Sequence, residues 1–461
     1  MTKYLKIYSV IILAALWISC EDWLDTTPET SVPDTGVITN EKSAIVALTG
    51  VYDALTGAEG TALVAWNSAA DNVVGATSGQ SIIVPILKVG SGAFDPSEGG
   101  GYVRYYQVIN RANSVIYYVN GLDNFTGDNK NRILGEAYFI RALSYIALGK
   151  TYGGVPVVTK PSSSPDSQDG IKNISREETF KQAQSDLDEA ESLLADVTLS
   201  NRGRASIWSV RALKARLYLF TEKWDKAEEY ATKLIDNTSI QLTTTLSDFF
   251  AKQLSSEAIF ELVSSSADRN GFYTYYLSSP RGGRLDYVPN ADLSTLLNDP
   301  TIGGKRSDLL IPLDDADPSK GYAIREYDKQ DGSSSIHVLR LAEQYLIRAE
   351  ARLKKASPDK NGAAADINEI KGRAGITLLD IPTSLPVDDL LQTIEDERRY
   401  ELAFEGHRYF DIIRTGRAPE VFGNDKPGYN PNYRDSRYWV FPFPQSVIFA
   451  DSDLTQPEVY Q

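Results

Sequence analysis

The spacing of apolar positions predicts helices over most of the chain. In residues 204–236, Trp208, Ala212, Ala215 and Leu219 fall on one helical face, and Val210, Leu213, Leu217 and Phe220 on another. A helix that is apolar on two faces must be packed between neighbours. After a break near Glu222 and Lys223, Trp224, Ala227, Ala231 and Leu234 form one stripe of a second helix. Small alanines at the close approach, flanked by Tyr218 and Trp224, give the pattern of a tetratricopeptide-like pair. One pair cannot bury both of its faces, so further units must stack on it. Matching 3.6-residue periods run through 102–120, 131–150, 176–194, 338–355, 362–373 and 387–414. Ser175 stands three residues before Glu178, the spacing of a capping box. The helical period is lost over 237–336, where β-branched runs and glycines predict short strands and loops. It is lost again over 415–461, which is rich in proline and aromatics. The expected fold is mainly α, a helical-repeat scaffold over 41–236 and 337–414 carrying two loop-rich excursions.

The first residues follow a different pattern. Lys3 and Lys6 precede the apolar run Ile7–Ile18, which is too short to span a bilayer but has the length of a secretory signal core. Ser19 then precedes Cys20, the single cysteine of the chain. One thiol can make neither an internal disulfide nor a zinc site alone. The segment resembles a bacterial lipoprotein signal, in which the cysteine thiol accepts a lipid. It departs at Trp17, where leucine is usual; Leu16 stands one position earlier. This organisation predicts a signal peptide over 1–19 and a lipidated, extended tether over 20–40 that opens with acidic Glu21, Asp22 and Asp25. A single domain over 41–461 follows.

Charge and composition narrow the function. The formal charge is −15, from 62 acidic against 47 basic side chains, which repels phosphate backbones and argues against nucleic acid. The chain has 26 tyrosines and 6 tryptophans but only 2 histidines, a balance suited to recognition rather than proton transfer or metal catalysis. His337 and His407 lack metal-ligand spacing, so neither a metal nor another cofactor is expected. Glu397, Glu401 and Glu405 recur every fourth residue and share a helical face, which invites comparison with a glycosidase acid and nucleophile. A general acid needs a raised pKa, whereas Arg398 and Arg408 stand three residues from Glu401 and Glu405. The better reading is a structural ladder of ion pairs. Arg141, and Arg340 with Glu343, are read the same way.

A recognition surface requires an exposed aromatic face with carboxylates, amides or guanidinium groups at its edge. Tyr138, Tyr145, Tyr218 and Trp208 lie in helical patterns and are assigned to the core. Two other stretches are read as loops. "AWNSAADNV" places Trp66 beside Asn67, Asp71 and Asn72. "RNGFYTYYLSSPRGGRLDY" offers Tyr273, Tyr275, Tyr276 and Tyr287 with Arg269, Arg281 and Arg284.

Ordered blocks along the chain resemble the SusD/RagB outer-membrane nutrient-binding lipoproteins of Bacteroidetes-type bacteria. They are "EDWLDTTPE" after the cysteine, "YYQVINRANSVI" (105–116), "GEAYFIRALSYIAL" (135–148) and "YGGVPVV" (152–158). "LRLAEQYLIRAEA" (339–351), "INEIKGRAGI" (367–376) and "IEDERRYELAFEGHRYFDIIRTG" (394–416) follow, then "WVFPFPQSVI" (439–448) and "LTQPEVY" (454–460). Tyr102 departs from a usual tryptophan, and "LTQPEVY" lacks the usual Asn-Pro-Gly. The resemblance implies a SusD-like fold of about four tetratricopeptide-like helix pairs. It further implies a non-catalytic, lipid-anchored protein of the outer-membrane surface that captures oligosaccharides and delivers them to a SusC-like TonB-dependent transporter. Ligand loops in the family come from the two regions just named. A peptide-uptake lid of the RagA-associated type, a surface glycosidase and a structural tetratricopeptide adaptor are the alternatives.

Overall fold

The first scaffold helix begins where a reciprocal cap meets an apolar stripe. The Asn40 side chain accepts the Ser43 amide at 3.0 Å, while Ser43 Oγ accepts the Asn40 amide at 3.0 Å. Behind this cap Ala44, Leu48, Val51, Leu55, Ala58 and Ala62 are all fully buried at helical spacing. The computed structural model describes residues 37–75, 101–162, 170–379, 385–423 and 431–461. The signal and most of the tether predicted around Cys20 lie outside the described residues.

Nine long helices carry the scaffold among the described residues. They are α1 (Glu41–Ala69), α2 (Tyr102–Asn120), α3 (Asp128–Tyr152), α4 (Arg176–Leu193) and α5 (Ile207–Phe220). After α6 (Trp224–Ile235) come α7 (Leu341–Lys354), α8 (Lys360–Ala374) and α9 (Val387–Glu401). Each packs against the next, giving four pairs, α1/α2 to α7/α8, with α9 laid on the last. The stacking continues from α6 to α7 although the whole first excursion separates them in sequence. Ala215, Tyr218 and Leu219 of α5, Ala227 and Ala231 of α6, and Ile347 and Ala351 of α7 form one buried cluster. The alanines predicted at the close approach are therefore where three helices meet. The α4 cap is formed as the spacing predicts, with the Glu178 amide donating to Ser175 Oγ and the Ser175 amide to Glu178 Oε2.

The sequence pattern misplaces two boundaries. The stretch around Trp66, read as a loop, is the last turn of the 29-residue α1. The run 387–414 is two helices, because Phe404 (φ 70°) and Gly406 (φ 74°) turn the chain left-handed between Glu401 and Arg408. A Cβ on residue 406 would stand 3.0 Å from the Trp66 ring, so glycine suits both the backbone and the close approach.

Three antiparallel ribbons organise the excursion. β2 (Ala258–Leu262) pairs with β6 (Ile336–Arg340) and draws its two ends together. β1 (Val73–Gly75), just after α1, pairs with β3 (Tyr287–Pro289), and β4 (Leu310–Pro312) pairs with β5 (Tyr322–Ile324).

Where β6 runs into α7, Arg340 is 2% exposed and meets three buried carboxylates. Its guanidinium donates to Glu257 at 2.8 Å, to Glu401 at 2.8 Å and to Glu405 at 2.7 Å. Arg373 pairs with Glu257 and Glu401, and Arg306 with Glu397 and Glu401. The glutamate ladder is thus structural, but its partners are not the sequence neighbours. Arg398 instead binds Asp411 at 2.8 Å, and Arg408 binds Asp71 and Glu395. Glu343 is held by Arg216 rather than Arg340, whereas Arg141 has its expected acid in Asp186 at 2.6 Å. Burial alone would raise Glu401, yet Arg373, Arg340 and Arg306 together hold it at about 2. Glu405 runs the other way, since burial outweighs Arg340 and pushes it up to about 7.

Two outcomes follow. Glu401→Ala takes one carboxylate from each of Arg306, Arg340 and Arg373, leaves an excess of buried positive charge, and lowers stability by about 3 kcal/mol in urea denaturation at neutral pH. The folded Glu401 titrates below its ordinary 4.5, so the unfolded chain binds more protons between about 2 and 4.5. Wild-type stability therefore falls as pH drops through that window. Glu401→Gln flattens that slope in thermal melts.

Candidate functional site

The first predicted cluster is a structural joint. Trp66 is 4% exposed, so the expectation of an exposed indole platform is corrected. Its Nε1 donates to Thr151 Oγ1 at 3.0 Å, Phe410 meets it edge-on at 5.4 Å, and the Lys150 ammonium lies 3.6 Å over its ring. Asn67 is spent on the 404–406 turn, donating to the Phe404 carbonyl and accepting the Gly406 amide. Asp71 binds Arg408 at 2.8 Å and Arg399 at 3.1 Å. Burial would raise its carboxyl, but those two guanidinium groups lower it below the ordinary range. Asn72 accepts from Arg399 at 3.1 Å through its side chain and from the Asn290 amide through its carbonyl. All four residues fasten the end of α1 to the C-terminal block and to the excursion.

The second cluster divides. Tyr276 is 1% exposed and stacks on Tyr327 at 4.8 Å within the main core, while the half-buried Tyr273 packs against a separate small cluster of Leu277, Ile311 and Ala323. Arg281 ends a single 3-10 turn and does not border the cleft described next. Arg284 is exposed, binds Asp286 at 2.5 Å and extends its guanidinium to 5.3 Å from the Tyr275 ring. Tyr275 is half-buried and keeps part of its ring accessible.

Tyr275 borders a cleft of about 520 Å³ between α1, the start of α2 and residues 268–275. That size lies within the range of small-ligand sites. One wall is the α1 face of Asp53, Thr56, Gly57, Gly60, Thr61 and Val64. Arg104 of α2 lies over Gly57, 3.5 Å from the position a Cβ would take. The opposite wall is Asp268, Arg269, Asn270 and Phe272, with Tyr287 behind. Asn270 fixes that wall, donating to Ser264 Oγ and the Ser334 carbonyl and accepting the Phe272 amide. Phe272 in turn lies 3.4 Å from where a Gly60 Cβ would stand. The cleft thus combines an accessible phenol ring with two carboxylates, Asp53 and Asp268, and two guanidinium groups, Arg104 and Arg269.

Sequence reasoning reached Tyr275, Tyr287 and Arg269 but missed Asp53, Arg104, Asp268 and Asn270. One signal was present: Thr56, Gly57, Gly60, Thr61 and Val64 recur at helical spacing, and small residues on one face leave room against it. Cys20 lies outside the described residues. Among the described residues, no group of three or more His, Cys, Asp or Glu side chains is arranged to hold a metal ion.

Comparison with known proteins gives consistent matches. The family described as "SusD family" matches residues 319–460, and "Starch-binding associating with outer membrane" matches residues 22–219. A SusD-like protein of Formosa agariphila is 27% identical over 90% of this chain and 92% of its own length. A SusD-like protein of Bacteroides ovatus is 23% identical over 92% of this chain and 86% of its own. A SusD superfamily structure from Bacteroides vulgatus superposes with TM-score 0.80 at 21% identity, covering 91% of this chain and 99% of that one. A laminarin-binding SusD-like protein superposes with TM-score 0.72 at 20% identity, covering 91% and 100%. Structural likeness at these identities establishes the fold.

The two aromatic candidates should now separate experimentally. Trp66→Ala removes a buried indole and its hydrogen bond and lowers unfolding free energy by about 3–5 kcal/mol. Tyr275→Ala, at a partly exposed position, changes it by well under half as much in the same denaturation series.

Proposed function

The chain belongs to the SusD family, and on that premise we propose that it is a non-catalytic lipoprotein that captures oligosaccharide in the Tyr275 cleft. Residues 1–19 act as its export signal, and Cys20 carries the lipid that anchors it to the outer membrane at the cell surface. Captured glycan passes to a SusC-like TonB-dependent transporter. The observation that carries the binding reading is the accessible Tyr275 ring standing in one cleft with Asp53, Arg104, Asp268 and Arg269. A sugar lays its C–H face on such a ring and turns its hydroxyls to charged groups at the edge. The match to a starch-binding family and the likeness to a laminarin-binding protein support a glycan as the ligand. The non-catalytic reading is supported by the burial of Glu397, Glu401 and Glu405, each of whose carboxylates is bound by the guanidinium group of Arg306 or Arg340.

Calorimetry of the mature protein against maltooligosaccharides, laminarioligosaccharides and short peptides tests the binding claim. Tyr275→Ala weakens glycan binding by about tenfold to a hundredfold, the range of an aromatic anchor, while lowering the melting temperature far less than Trp66→Ala does. Peptide binding with no glycan binding overturns the reading. Anchoring has its own test: Cys20→Ala, expressed without the transporter, moves the protein from the membrane to the soluble fraction. A variant that stays in the membrane fraction refutes the lipid anchor.

A further inference from the structure

A second cleft, of about 750 Å³, lies beyond the β1–β3 ribbon and is bounded by the short helix Ala291–Asn298 and the β4–β5 ribbon. Its chemistry differs from that of the Tyr275 cleft. Leu285, Val288, Leu313 and Tyr322 supply apolar surface, and the exposed Thr295 and Asn298, which donate to the Ala291 and Ser294 carbonyls, present their side-chain oxygens as acceptors at its edge. Lys320, also on its wall, is already paired with Asp314 at 2.5 Å.

The two clefts share one partition. Successive strand residues point to opposite faces, and here Tyr287 borders the Tyr275 cleft while Val288 borders the second. The turn before β3 repeats this division. Arg284 reaches over the Tyr275 ring, and Leu285, the next residue, lines the second cleft. Leu285 has a φ of 56°, a left-handed conformation that a leucine adopts only under constraint. The constraint is visible. The Arg284 amide donates to the Thr274 carbonyl at 2.8 Å and the Gly283 amide to the Ser278 carbonyl at 3.1 Å. A Cβ on residue 283 would stand 2.1 Å from the Leu277 carbonyl oxygen, so only glycine closes this turn. The result is a fixed saddle with a charged cleft on one side and, on the other, a largely apolar one whose edge carries Asp299 and the Asp314-paired Lys320.

We propose that the second cleft is a distal subsite, receiving uncharged rings of the same oligosaccharide whose proximal rings occupy the Tyr275 cleft, with the chain crossing the saddle at 284–286. The inference rests on the glycan-binding reading above and adds to it a dependence on ligand length. An apolar floor with hydroxyl and amide groups at its edge matches a neutral ring, and two clefts with a common wall favour a linear chain over two separate ligands.

The test is calorimetry of the mature protein with maltooligosaccharide and laminarioligosaccharide ladders from disaccharide to heptasaccharide. Wild-type affinity for the bound ladder rises by about tenfold or more with length. Thr295→Trp, an exposed helix position turned into the second cleft, removes that rise and binds the disaccharide as wild type does. Tyr275→Ala weakens every length. Affinity independent of length, or a Thr295→Trp protein that follows the wild-type ladder while Tyr275→Ala does not, overturns the distal subsite and leaves the glycan reading standing. Failure of the wild type to bind either ladder removes the glycan reading, and the distal subsite falls with it. Melting curves of both variants, expected to stay cooperative and folded well above the assay temperature, exclude misfolding as the cause.

Discussion

Arg340 is the point at which the scaffold, the excursion and the C-terminal block are bound to one another. A guanidinium buried to this extent is tolerable only when its charge is matched, and the match is drawn from distant parts of the chain. Glu257 comes from the start of β2, whereas Glu401 and Glu405 come from the end of α9 and the turn behind it. Arg306 and Arg373 share these carboxylates, so the excursion cannot swing away without leaving several buried charges unpaired. Such an arrangement contributes little net stability over an apolar core of the same shape. It gives specificity instead, because no other seating of the excursion satisfies the same set of charges.

The cleft depends on that seating through a short series of contacts. The 404–406 turn, which contains Glu405, is held by Asn67 and accepts the Tyr327 hydroxyl at the Phe404 carbonyl, 2.9 Å away. Tyr327 supports Tyr276 at 4.8 Å and Phe272 at 4.9 Å. Phe272 rests against Gly60 of α1 and so sets the separation of the two walls that Tyr275 and Arg104 line. Tyr327 and Tyr276 fix this geometry from the core behind the cleft, and Phe272 and Asn270 carry it to the wall that faces ligand.

The helical scaffold was legible because a 3.6-residue apolar period survives in a single sequence and because caps such as Ser175–Glu178 are local. Alanines 227 and 231 announced a close helix approach in the same way. The partners of the buried arginines were not legible. Arg408 meets Asp71 from the other end of the chain, and nothing in the local spacing distinguishes that from a bond to Glu405. Trp66 was misjudged because Gly50, Gly57 and Gly60 dilute the pattern of α1, so its last turn reads as a loop. The glycines were themselves the trace of the site, since they make room for Arg104 and Phe272. Tyr275 was found among its neighbours by residue type, but only its place on the cleft wall, which Tyr273 and Tyr276 do not share, singles it out.

The most direct measurement is a crystal structure of the mature protein soaked with the longest oligosaccharide that binds. It should show a sugar ring stacked on Tyr275, hydroxyls directed to Asp53, Arg104 or Asp268, and the Arg340 charge cluster unchanged from the unliganded state. Sugar density seated away from Tyr275, with the cleft between α1 and residues 268–275 left open to solvent, would contradict the assignment of binding to this cleft.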